Sequence, residues 1–140
     1  MSWHVSRRED WPERLLAFIE SRRVTPFGWG ANDCALFAAD AALAMTDHDF
    51  AASFRGRYKT ALGAMKALRS NGARDLADYL TQTLGEPIAP GLARRGDAVM
   101  FETVAGPALG VVVGSQAAAA GPEGLTWVPS AHWQSAWRVR

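Results

Sequence analysis

The 140-residue chain is 49% hydrophobic and 21% charged, with a formal net charge of +1. These proportions argue against disorder, remove any global electrostatic case for nucleic acid, and leave no apolar stretch long enough to span a membrane. The length suits one domain, residues 1–140, with its own core.

A single cysteine excludes an internal disulfide framework and any multi-cysteine metal site, so no metal and no cofactor is expected. The first ten residues carry no apolar core segment. No secretory signal is therefore expected, and synthesis in the cytoplasm is the default. Lys59 and Lys66 are the only lysines, a bias that fits a GC-rich genome better than selection for phosphate contacts.

In chain order, Trp11 to Arg23 is predicted as the first helix, with Asp10 as cap, Pro12 in the first turn, and Trp11, Leu15, Phe18 and Ile19 on one face. Thr25-Pro26-Phe27-Gly28-Trp29-Gly30 breaks the periodicity. Asn32 or Asp33 can cap a second helix from about Cys34 to Met45, apolar nearly all round and so expected at the centre of the domain. Asp47-His48-Asp49 reads as a turn, and Phe50 to Phe54 as a short helical piece. Thr60 caps a third helix with Leu62, Met65 and Leu68 inward and Asn71-Gly72 as its stop. Leu76, Tyr79, Leu80 and Leu84 mark a fourth, ended by Gly85.

Beyond Pro87 and Pro90 the pattern changes to strands. These are expected at 97–101, 108–113, 125–128 and 137–139, with Ala117 to Ala120 as a small flexible turn. Helices followed by a meander predict an α+β fold, with N-terminal helices packed on a C-terminal antiparallel sheet.

Asn32-Asp33-Cys34 is the strongest chemical signal. A helix N-terminus presents unpaired N–H groups and positive potential, which favour thiolate over thiol, and the glycine-rich loop before it would let a substrate backbone approach. The alternative is that Cys34 fills space as a small hydrophobe. Asp40, on the same helix, needs a partner if buried: backbone, Arg55 or Arg57. Arg55-Gly56-Arg57-Tyr58 reads as a solvated turn that could also suit an anion. Trp127, Trp133 and Trp137 suggest a partly exposed interface.

Phe27-Gly28-Trp29-Gly30, Asp33-Cys34, Gly96-Asp97 before Ala98-Val99-Met100-Phe101, and Leu109-Gly110-Val111-Val112-Val113-Gly114 occur in an order that resembles the NlpC-like branch of the papain-type cysteine peptidases. The resemblance implies a papain-like, NlpC-like fold, Cys34 as nucleophile, and Trp29, Asn32 and Asp33 at the substrate. The family's histidine falls at Ala108 and its tyrosine at Phe27, so the proton acceptor is missing from its place and the site is expected to be degenerate. His132 is the candidate replacement base, ahead of His48 and His4.

Such proteins are commonly encoded among the tail genes of bacteriophages and gene transfer agents. The resemblance therefore implies a virion-associated tail-tip or tail-assembly protein whose partners are other tail proteins and possibly peptidoglycan. The alternative is an active cysteine peptidase that cleaves peptidoglycan peptides through Cys34.

Overall fold

The computed structural model describes residues 6–140. Four helices precede five strands: α1 (Trp11–Ser21), α2 (Cys34–Thr46), α3 (Ala61–Ser70), α4 (Leu76–Leu84), β1 (Ala98–Thr103), β2 (Gly106–Val113), β3 (Gln116–Gly121), β4 (Gly124–Pro129) and β5 (Ser135–Trp137). Single 3-10 turns lie at Pro90–Leu92 and Ser130–His132. The sheet is antiparallel throughout, ordered β4-β3-β2-β1-β5, and the α+β class read from the sequence is correct.

Helix α2 is apolar all round because it is covered on both sides. One side meets α1, α4 and the sheet through Phe37, Ala41, Met45, Leu109, Val111 and Trp137. The other packs Leu36 and Ala39 against Ala51, Phe54 and Tyr58. The opposite face of the sheet buries Val99, Phe101, Val112, Val128 and Trp133 under the segments that flank β5. Strand alternation divides β2 between these two cores: Leu109 and Val111 face the helices, and Ala108 and Val112 face away.

Several local expectations change. Ala117 to Ala120 is no turn. It lies in β3, paired with β4 along its whole length and with β2 at Ala117 and Ala118, where Val111 opposes Ala118 and Ala118 opposes Trp127. Alanine has low strand propensity, but small side chains suit this position. A Cβ on Gly110 would already lie 3.2 Å from that of Ala117 and 2.9 Å from the Ala118 carbonyl.

In α3 the inward face is Gly63, Ala64, Ala67 and Leu68, while Leu62 is 63% and Met65 49% exposed. The small residues face inward because the contact is close: a Cβ on Gly63 would sit 3.0 Å from that of Tyr58. Residues 50–56 form successive turns rather than a helix. Asp10 stands at the start of α1 without a side-chain cap, its carboxylate held by Arg14 at 2.8 Å. Trp133 and Trp137 belong to the core, donating to the Val128 carbonyl at 3.0 Å and to Thr81 Oγ1 at 3.1 Å. Trp127 alone of the three is exposed. No described helix is long and apolar enough to cross a membrane.

Candidate functional site

Cys34 opens α2, as expected, and Asp33 rather than Asn32 is the cap. The Asp33 side chain is buried and engaged on both oxygens. Oδ1 accepts the Leu36 N–H at 3.0 Å; Oδ2 accepts the Gly30 N–H at 2.9 Å and the Tyr58 hydroxyl at 2.6 Å. This knot fixes the loop before the helix as well as the helix itself. Gly30, at φ +79°, has no room for a side chain, since a Cβ would collide with the Tyr58 carbonyl.

Asn32 is buried too. It accepts from Arg22 Nη1 at 2.8 Å and donates to the Thr25 and Pro26 carbonyls at 3.3 and 3.2 Å. Both residues therefore build the site from beneath. Trp29 is exposed, with the edge of its ring against Phe27 at 5.0 Å.

The half-buried thiol faces β2. Strand β3 pairs with β2 only over Val111–Val113, which leaves the Leu109 backbone N–H open to the sulfur. That N–H and the amides of the first turn favour thiolate, but burial outweighs them. Together with the neighbouring Asp33 carboxylate, burial pushes the thiol above its ordinary value of 9.0. The helix N-terminus does not activate Cys34, contrary to the expectation from its position alone.

No imidazole among the described residues reaches the sulfur. His132 is exposed in the segment between β4 and β5, next to Trp133, which packs into the core on the opposite face of the sheet. His48 lies past the far end of α2, roughly 18 Å away at 1.5 Å per residue. Its ring packs edge-on against Phe50 at 4.6 Å. His4 lies outside the described residues.

Ala108, the position expected to have lost the histidine, also points away. Its side chain joins the far-face core, and Leu109 is the β2 residue on the thiol's side. The order of motifs located the strand correctly but missed the facing residue by one, and a shift of one residue reverses every side chain of a strand.

A polar group of this site that sequence reasoning missed is Tyr58, through its bond to Asp33. Burial, then its bond to Asp33, push the phenol well above its ordinary value of 10.0, so it remains a donor. Nothing local signals this role, since Tyr58 is separated from Asp33 by 25 residues of chain.

Asp40 pairs with Arg22 and Arg55, each at 2.7 Å, and Arg55 also grips Asp49 through two bonds of 2.9 Å. The expected Arg55 partner is present; Arg22 is the addition. Gly96-Asp97 is likewise structural. A Cβ on Gly96 would lie 2.7 Å from Arg7 Nη1, and Asp97 accepts from Arg7 Nη2 at 3.0 Å, the Arg94 N–H at 2.9 Å and the Val139 N–H at 3.2 Å.

No group of three or more His, Cys, Asp or Glu side chains among the described residues could hold a metal ion. Residues 6–139 match the model of DUF6950, a domain of unknown function, and the chain belongs to that family. No curated protein matches the sequence.

Proposed function

We propose that this chain is a non-catalytic phage tail-tip or tail-assembly protein on a papain-like, NlpC-like fold, with the nucleophile's position kept and its chemistry lost. The observation that carries the non-catalytic part is the setting of Cys34: a thiol held protonated by burial at the start of α2, with His48 past the far end of that helix and His132 beside the core on the opposite face of the sheet. A cysteine nucleophile needs a base to take its proton and return it to the leaving group, and a phenol bonded to a buried carboxylate can do neither.

The fold assignment is supported by a cysteine that starts a central helix laid against an antiparallel sheet, with helices before strands in the chain. The tail assignment follows from the motif order alone. Fold persists where chemistry does not, so the two parts stand separately.

One experiment tests both. Deleting the gene from a particle-producing host should yield particles with defective tails, and a Cys34→Ala copy should restore them. Normal tails after deletion would remove the assembly role. Failure of Cys34→Ala to rescue, together with Cys34-dependent release of peptidoglycan fragments by the purified protein, would reinstate the cysteine peptidase reading.

A further inference from the structure

The other end of α2 borders an open groove of about 720 Å³, lined by Arg7, Trp11, Arg94, Arg95, Arg138 and Arg140, among others. Its floor is neutral: Asp97 is buried, and its carboxylate is fully engaged by Arg7 and two backbone N–H groups. Arg7 is committed as well, donating to the Val139 carbonyl at 2.5 Å and the Arg95 carbonyl at 2.8 Å, with its guanidinium 4.3 Å from the centre of the Trp11 ring. The walls differ. Arg94, Arg95 and Arg138 make no side-chain hydrogen bond or ion pair with any described residue. Trp11 and Pro12 supply an apolar side.

We propose that this groove is a docking site for a short acidic peptide segment of a partner protein, held by carboxylate–guanidinium pairs and by contact with Trp11 and Pro12. Planar guanidinium groups bind carboxylates through paired hydrogen bonds, and converging cations without internal partners gain most from an external anion. The apolar wall favours a peptide over a bare ion. The neighbouring surface is lined by Glu9, Asp10 and Glu13 beside Arg8, which would repel the continuing backbone of a long polyanion and limits the fit to a short charged stretch. This inference is independent of the reading of Cys34.

The test uses the full chain and a fluorescently labelled short peptide of alternating glutamate and leucine, at low salt, with inorganic phosphate and single-stranded DNA as competitors. Saturable binding is expected, weakened about tenfold or more by Arg94→Gln/Arg95→Gln/Arg138→Gln and measurably by Arg138→Gln alone. Arg69→Gln/Arg74→Gln, which removes the same kind of charge from α3 and the start of α4, should leave it unchanged. Absence of saturable binding, equal loss in the control variant, or displacement by DNA or phosphate at lower concentrations than by unlabelled peptide would each overturn the proposal.

Discussion

The two ends of α2 are built on the same device and put to different use. At the first turn Asp33 gathers two N–H groups and a hydroxyl; near the last turn lies Asp97, which gathers two N–H groups and a guanidinium, with Gly96 close against both Arg7 and Met45. Around Asp33 each neighbouring polar side chain finds an internal partner: Asn32 with Arg22, Asp40 with Arg22 and Arg55, Tyr58 with Asp33 itself. Around Asp97 the inner layer is equally closed, but Arg94, Arg95 and Arg138 stand outside it with no side-chain partner among the described residues. Polar groups committed internally are architecture. Charge left uncommitted beside a groove is where a ligand gains most. By that criterion the end that looked catalytic in the sequence is the structural one.

Removing either aspartate is the severest way to break the comparison. Asp97→Ala leaves Arg7 partly buried without its carboxylate and should cost about 3–5 kcal/mol. Asp33→Ala removes a helix cap and strands the Tyr58 hydroxyl and the Gly30 N–H, for a loss of about 3–4 kcal/mol. Urea unfolding monitored by tryptophan fluorescence measures both. Losses under about 1 kcal/mol at either site would mean that these knots do not organise the fold.

Tyr58→Phe sharpens the distinction at lower cost. It removes one of two bonds to Asp33 Oδ2 while the ring stays packed on Phe54, so a loss of about 1–2 kcal/mol is expected in the same titration.

How much of this was legible in the sequence depended on chain distance. The Asp33 cap spans three residues and could be read directly; its bond to Tyr58 spans 25, and Arg7 to Asp97 spans 90, so no local pattern reveals either. The central position of α2 followed from its unbroken apolar composition. The strand character of Ala117 to Ala120 did not follow, because pairing with β2 and β4 supplies what alanine's propensity lacks. The facing side of α3 was misjudged for a related reason: size, not hydrophobicity, decides which residues approach Tyr58. At Cys34 the residue types suggested activation, whereas the sign of the shift depends on burial, which only the fold determines.

The same burial predicts an alkaline limb of stability. Cys34 and Tyr58 both have folded-state values raised above their ordinary 9.0 and 10.0. Keeping each protonated contributes stability that is fully present below those ordinary values and is lost as pH rises through the folded ones. The urea midpoint should therefore show no loss from these groups up to about pH 9 and decline above it, with Cys34→Ala reducing the earlier part of the fall and Tyr58→Phe the later part. In the folded protein, alkylation of Cys34 by iodoacetamide should show an apparent pKa above 9.0. A value in the neutral range would mean an activated thiol and would send the search back to a base. Ala108→His should leave that profile unchanged, because position 108 faces the other core.

The smallest expected effect tests the open end. Arg94, Arg95 and Arg138 make no side-chain hydrogen bond or ion pair with any described residue, so replacing all three with glutamine removes none of those among the described residues. What it does remove is the mutual repulsion of cations that converge on one groove. Stability should therefore stay within about 0.5 kcal/mol of the parent, with any change in the stabilising direction. Because that repulsion acts through solvent, added salt should raise the parent's stability more than the variant's until the two converge, as screening at about 0.1 M salt acts over roughly 10 Å. Thermal unfolding across a salt series reads both quantities. Destabilisation by several kcal/mol would mean that these arginines are bound within the chain, and the two ends of α2 would then be alike.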